Sequence, residues 1–233
     1  MTLPFKMITE TDMEKYRAES FWDKEPETVA WIQSFKPGQV FFDVGANVGV
    51  YSLYAASLYP DMLIYAFEPV IANFRRLTEN VELNGFDNIH CFNVAVGERD
   101  RIVDLHIPRE GVGQSGAQIG GAVDEHGEAF EPSMSPKVME CRLDNFLSRR
   151  VENTHIKIDV DGREESALIG IKYFIAVDSI LVECNGDAEI IEETIPEEEE
   201  FTTDNEFNRH PEHSSIRRAK EGITAQNIIF TRR

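Results

Sequence analysis

Val40-Phe41-Phe42-Asp43-Val44 is an apolar run holding one carboxylate, and Gly45-Ala46-Asn47-Val48-Gly49 follows it without a gap. A short apolar run of this kind suits a strand buried on both faces of a parallel sheet. Two glycines then let the backbone turn sharply and let other groups approach closely. Val50, Leu53, Tyr54, Ser57 and Leu58 fall on one stripe of the helix that comes next. Pro60-Asp61 ends it, and Met62 to Phe67 forms a second strand closed by Glu68-Pro69. Val70, Phe74, Leu77 and Val81 recur at helical spacing up to the Asn84-Gly85 stop. Ile89 to Val96 reads as a third strand. Strands and helices alternating in this order require parallel strands joined by right-handed crossovers.

The rest of the chain fits round that unit. Residues 12–35 read as one or two helices broken near Pro26, before a turn at Pro37-Gly38. Arg101 to Ile107 and Lys137 to Arg142 read as strands flanking a stretch rich in Gly, Ser and Pro. A connection of that length is either a functional lid or a surface insertion. His155 to Val160 and Ser179 to Cys184 read as strands round a helix from Glu164 to Phe174. Glu199 to Phe207 and Ala225 to Thr231 read as an antiparallel pair closing the sheet, bridged by a polar helix near Ser214 to Lys220. The expected fold is α/β and Rossmann-like: a mostly parallel seven-stranded sheet with an antiparallel edge strand and helices on both faces. Residues 1–36 would form an N-terminal helical cover, and residues 37–233 one globular domain.

Composition removes several classes. With 233 residues, 42% apolar content and 15 Phe, the chain can bury a sizeable core. No run of about 18 apolar residues occurs, so no membrane span is expected. Net charge is −19, which repels phosphate backbones and argues against nucleic acid as a partner. Eight acidic residues and no basic ones lie between Asp187 and Glu200, which reads as a solvated face or, less often, a docking or cation-binding surface. Cys91, Cys141 and Cys184 are widely spaced and odd in number, which suits buried thiols in a reducing cytoplasm.

Two places carry candidate chemistry. In the glycine loop, Asn47 stands where a dinucleotide fingerprint has its second glycine, and Asp43 would repel a pyrophosphate. S-adenosylmethionine has no phosphate: Asp43 could attract its ammonium, directly or through water, and the helix N-terminus its carboxylate. Glu68 lies 19 residues beyond Gly49 and could accept hydrogen bonds from ribose hydroxyls, or serve only the following helix N-terminus. Asn93 could bond an adenine edge or its own local backbone, and Ala95 lies beside it. In His155-Ile156-Lys157-Ile158-Asp159-Val160-Asp161-Gly162-Arg163-Glu164, charges interrupt a buried strand at its carboxyl end, where ligands of open parallel sheets bind. Lys157 and Asp159 share a face; Asp159 could serve as general base or orient a hydroxyl, and Glu183 would face the same crevice. A Lys–Asp ion pair with a helix cap is the structural alternative. No metal set is assigned, though Mg²⁺ or Ca²⁺ among Asp159, Asp161 and Glu183 is a secondary option.

The segments FFDVGANVGVYSLYAA, YAFEPVIANFRRLTENVELNG, NVAVGE, RLDNFL, IKIDVDGREESALIG and ILVEC occur in the order of the FkbM methyltransferase family, which this chain resembles over roughly residues 38–186. The resemblance implies a class I methyltransferase fold, S-adenosylmethionine as donor, and O-methylation of a hydroxyl on a sugar, glycan or small natural product. It carries Asp43, Gly45, Asn47, Gly49, Glu68 and Asn93 over as cofactor contacts, with Ala46 and Ala95 beside them. Lys157, Asp159 and Glu183 become the acceptor-side cluster. Asp161 stands where family members often carry Glu, and the chain after Asn185 departs most from the pattern. The implied partner is a small-molecule or glycan acceptor. The rival readings are an NAD-dependent oxidoreductase on a similar sheet and a methyltransferase-like binding protein without turnover.

Overall fold

Val40–Val44 forms strand β1, buried at every position. In the computed structural model, which describes residues 2–124, 127–147, 153–184, 188–196, 200–208, 213–215 and 226–232, this strand is an interior strand of a seven-stranded sheet. On one side β1 pairs in parallel with β2 (Leu63–Phe67), and β2 with β3 (Ile89–Phe92). On the other, β1 pairs in parallel with β8 (Thr154–Ile158), and β8 with β9 (Val177–Cys184). Strand β11 (Gln226–Arg232) runs antiparallel to β9 and to the edge strand β10 (Phe201–Thr203), so the expected antiparallel pair closes the sheet. The order is β3-β2-β1-β8-β9-β11-β10. It reverses direction at β1, and a sheet of this kind opens its ligand crevice beyond the strand ends at that point.

Helices cover both faces. Helix α4 (Val50–Leu58) follows β1, and α5 (Ile71–Asn84) follows β2 and stops at Gly85, whose φ of 67° is left-handed. The N-terminal segment folds into three short helices: α1 (Asp12–Glu19), α2 (Phe21–Lys24) and α3 (Pro26–Gln33). Thr11 and Glu14 form a reciprocal capping box on α1, and Pro26 opens α3 at its first turn, where no amide partner is required. Trp31 and Ile32 of α3 are fully buried against the sheet; the Trp31 indole donates to Ser179 Oγ at 2.9 Å. His155, stacked on Phe35 at 3.9 Å, is held neutral because burial pushes it down to about 3. On the opposite face Phe42, Tyr65, Phe67 and Phe92 stack from strand to strand, with ring centroids 4.8 Å apart for Phe42–Tyr65 and 5.3 Å for Phe67–Phe92.

Three elements differ from the sequence reading. The third strand ends at Phe92, and Ala95–Val96 (β4) leaves for a second, four-stranded sheet in the order β4-β7-β5-β6, with β5 Arg101–His106, β6 Gln118–Ile119 and β7 Lys137–Cys141. The long glycine-rich connection lies between β5 and β7 of this sheet. The helix expected from Glu164 to Phe174 stops at Ile169 (α6, Glu164–Ile169). At the next residue, Gly170, a Cβ would lie 2.3 Å from the Gly97 carbonyl oxygen, so only a glycine permits that contact. The N-terminal segment has three helices rather than one or two. Within the acidic stretch, Ala188–Thr194 is helix α7; residues 185–187, 197–199 and 216–220, including most of the expected bridging helix, lie outside the described residues. Helix α8 (Asn205–Asn208) lies between β10 and β11. Among the described residues no helix is long and apolar enough to cross a membrane.

Candidate methyl-donor and acceptor site

Beyond the carboxyl ends of β1, β2 and β8 lies a cleft enclosing about 1220 Å³ of empty space, part of it open to solvent. Its floor is backbone. Gly45 and Ala46 amides both donate to the Phe67 carbonyl, at 3.0 and 2.9 Å, so the glycine loop is tied to the end of β2. Gly45 has φ 81°, and a Cβ there would sit 1.8 Å from the Asp159 carbonyl oxygen. Left-handed backbone and contact with the end of β8 both demand glycine. Gly45→Ala is therefore expected to cost at least about 3 kcal/mol of stability, read as a fall in the urea midpoint with an unchanged slope.

Glu68 is buried at the end of β2, 4% exposed. One carboxylate oxygen accepts from the Asn47 amide and the other from the Val70 amide, both at 2.8 Å. Burial pushes its carboxyl up to about 7 against the pull of those two amides. Each oxygen keeps a second lone pair, so the group can still accept from a ligand's hydroxyls. Asn47 holds a left-handed φ of 53° and, through its side chain, donates to the Gln114 carbonyl at 2.9 Å.

The acceptor side is a charged cluster. Lys157 is 1% exposed, and its Nζ lies 2.7 Å from Asp159 Oδ2 and 5.1 Å above the Tyr51 ring. Burial works to discharge this ammonium, but Asp159, Glu25 and Asp43 around it outweigh burial and raise its pKa. Burial would likewise raise Asp159; Lys157, a hydrogen bond with Glu183, and Lys24 hold its carboxyl well below the usual range instead. Asp159 is thus an ionised, weakly basic carboxylate. Tyr51 Oη donates to Glu25 Oε2 at 2.9 Å, and Lys24 pairs with Glu25 at 2.5 Å, so α2 is wired into the cluster. Among the described residues no three His, Cys, Asp or Glu side chains converge to hold a metal, so the divalent-cation option through Asp159, Asp161 and Glu183 has no preformed geometry.

Of the residues singled out from sequence, Gly45, Ala46, Asn47, Glu68, Ala95, Lys157, Asp159 and Glu183 line this cleft. Three do not. Asp43 is 1% exposed beneath the floor: one oxygen accepts from Ser52 Oγ at 2.6 Å, the other is buried with no hydrogen-bond partner among the described residues, and burial raises its pKa. It faces the same side of the sheet as Lys157, its neighbour in register, rather than the strand end. Gly49 packs on α5, where a Cβ would meet Leu77 Cδ1 at 2.4 Å. Asn93 donates its side-chain amide to the Glu68 and Pro69 carbonyls at 2.8 and 3.0 Å, holding the turn that presents Glu68.

Sequence reasoning missed the walls. Arg17, Phe21, Lys24 and Tyr51 line the cleft, and so do Asn73, Gln114 and Arg163. Asn73 had a readable signal, since a polar residue on the buried stripe of α5 calls for a partner; it is 1% exposed. Arg17 and Lys24 had none, because they reach the cleft from helices distant in sequence.

The methyltransferase FkbM domain model matches residues 43–219. The chain is 25% identical over 167 residues to Methyltransferase 1 of Beauveria bassiana (strain ARSEF 2860), covering 65% of this chain and 67% of that protein. It is 44% identical over 45 residues to the 31-O-demethyl-FK506 methyltransferase FkbM of Streptomyces tacrolimicus, covering 19% of this chain and 17% of that enzyme. Among solved structures, an rRNA methylase assignment from Clostridium thermocellum superposes with a TM-score of 0.50 at 11% identity, covering 88% of this chain and 93% of that one; it shows the fold alone. With the domain model spanning most of the sequence, the chain belongs to the FkbM family of S-adenosylmethionine-dependent methyltransferases.

Proposed function

We propose that the protein transfers a methyl group from S-adenosylmethionine to a hydroxyl of a sugar, glycan or small natural product. One observation carries this reading: an amide-held Glu68 and an ionised Asp159–Lys157 pair line the same cleft. The name of the Streptomyces relative, which specifies an oxygen of its substrate, supports the choice of a hydroxyl, though the likeness spans only 45 residues.

The residues present fit the donor. Glu68 has lone pairs to spare for ribose hydroxyls, and residues 44–47 and 94–96 line the cleft with it. Helix α4 starts at Gly49, and Val50 and Tyr51 of its first turn line the cleft, which brings the positive end of the helix within reach of a carboxylate. When bound, the donor supplies an activated sulfonium methyl, so the protein's task is mainly alignment. Asp43 acts here from beneath the floor, through Lys157 and Ser52. Asn93 and Gly49 act as positioning residues.

Asp159 takes the role of orienter. A hydroxyl hydrogen-bonded to an ionised carboxylate points its lone pair away from it. As that oxygen gains positive character on methylation, its proton becomes acidic enough for a weakly basic carboxylate to take. Lys157 keeps Asp159 ionised and fixed, and Glu183 holds it from the other side. Residues 1–36 are read as a cover that completes the acceptor wall through Arg17, Phe21 and Lys24.

Calorimetric titration with S-adenosylmethionine and with NAD tests the donor. Binding of the first and not the second is expected, and the reverse would hand the cleft to redox chemistry. Methyl release in a panel of sugars, glycosides and alcohol-bearing macrocycles tests the acceptor class. Release only with amine or thiol acceptors would overturn the hydroxyl assignment.

A further inference from the structure

Gln114, Ser115 and Ala117 line the cleft, and side chains from α1, α5 and the loops after β1 and β8 hold the segment 112–118 to which they belong. Asn73 reads this strap through both ends of its amide: Nδ2 donates to the Gln114 carbonyl at 3.0 Å, and Oδ1 accepts from the Gly113 amide at 2.7 Å. Asn47 Nδ2 donates to the same Gln114 carbonyl at 2.9 Å. From α1, Arg17 donates twice to the Gly113 carbonyl, at 2.9 and 2.8 Å. From the loop after β8, Asp161 accepts from the Gly116 amide at 2.7 Å and, through its carbonyl, from Gln118 Nε2 at 2.6 Å. Asn47 and Asp161 both sit at left-handed φ, 53° and 52°. Such backbone costs about 1–3 kcal/mol for a residue with a side chain and persists where the surroundings enforce it.

The strap also has room and hinges. Gly111, Gly113 and Gly116 have φ of 135°, 83° and 84°. Gln114, Ser115 and Ala117 form the wall between the main cleft and a second empty space of about 580 Å³, bounded by Ile71, Ile107 and Met134. Val112 packs on the core and anchors one end, and the rest of the segment, with empty volume on both sides and glycines along it, has room to swing.

We infer that Asn73 is a positioning residue, the central clasp of a strap that must open for the nucleoside donor to enter and its product to leave. This rests on the donor-site reading above. The hydrogen bonds that hold the strap closed must break for entry and for exit alike, so the latch opposes both. Weakening it should raise both rates together and leave the equilibrium nearly unchanged, a signature that loss of a ligand contact cannot produce.

The test measures association and dissociation rates of S-adenosylhomocysteine by surface plasmon resonance on the full chain. Asn73→Ala removes two hydrogen bonds of ordinary strength, which shifts the closed-to-open ratio by roughly ten- to a hundredfold. Both rate constants should rise by about that factor, with Kd held within about threefold. Gln118→Ala, which releases the strap from the Asp161 carbonyl at a residue that does not line the cleft, should act in the same sense, and it decides the matter alone if Asn73→Ala does not fold. Unchanged rates, or faster dissociation with proportionately weaker affinity, would overturn the strap. Glu68→Ala separates the two failures. Normal affinity in that variant overturns the donor-site reading, whereas lost affinity there with unmoved rates in Asn73→Ala overturns the strap alone.

Discussion

Asp159→Asn is expected to lower turnover by roughly 10- to 150-fold, the worth of one charge-assisted hydrogen bond to the reacting hydroxyl. It should also destabilise the protein. The Lys157 ammonium, 1% exposed, would lose its closest carboxylate, and stranding a buried charge costs about 3–5 kcal/mol. Asp43, Glu25 and the Tyr51 ring stay nearby, which places the loss at the low end of that range. Because Lys157 and its other neighbours hold the Asp159 carboxyl well below the usual range, the group is ionised across the working pH. The rate of the wild type should therefore show no acid limb from Asp159 between pH 5 and 8. A pH–rate profile with turnover per folded molecule, taken alongside melting curves, checks all three expectations. A fall beyond about 10³-fold, together with an acid limb that vanishes in the variant, would make Asp159 a general base of ordinary pKa instead.

The direction of that pKa shows where sequence reasoning reaches its limit. The neighbouring acids were visible in the string, and so was Lys157. The 2.7 Å contact that decides between them is a product of folding. The sheet itself was legible because each strand carries its own period and each turn its own punctuation. Gly45 and Glu68 were legible because a strand end on this sheet has few places to point. Asp43 was not: β1 continues far enough for its side chain to stay beneath the loop and face Ser52 and Lys157. For Asn93 the sequence leaves an adenine edge and the backbone both open as partners, and it grips the Glu68–Pro69 turn, a contact 25 residues away in sequence. The strap over the cleft was visible only as a glycine-rich stretch, since what makes it a strap is the set of side chains from α1, α5 and the β8 loop that reach it.

Glu68 links donor affinity to pH. Its folded-state pKa is raised to about 7, chiefly by burial, against 4.5 for the free group. Between those values the folded protein holds a proton that the unfolded chain has released. The ligand-free protein is therefore most stable, on this account, below about pH 4.5, and it loses stability as pH climbs through 7, by up to about 3 kcal/mol at 1.36 kcal/mol per pH unit. Ribose hydroxyls donating to the carboxylate favour its ionised form, so donor binding must expel that proton. Affinity for S-adenosylmethionine should strengthen between pH 6 and 8, approaching tenfold per unit on the acid side of 7 and flattening above it. Calorimetry in two buffers of different ionisation heat should register close to one proton released at pH 6. Glu68→Gln should flatten both dependences. Glu68→Ala should weaken donor binding at least tenfold at pH 8, where two charge-assisted bonds of about 1.5–3 kcal/mol each are lost. That variant also strips the Asn47 and Val70 amides of their acceptor, so the left-handed turn at Asn47 should loosen and hydrogen exchange at both amides should quicken. Donor affinity independent of pH in the wild type, with no proton released, would place Glu68 at the helix terminus alone and send the search for the ribose contact elsewhere in the cleft.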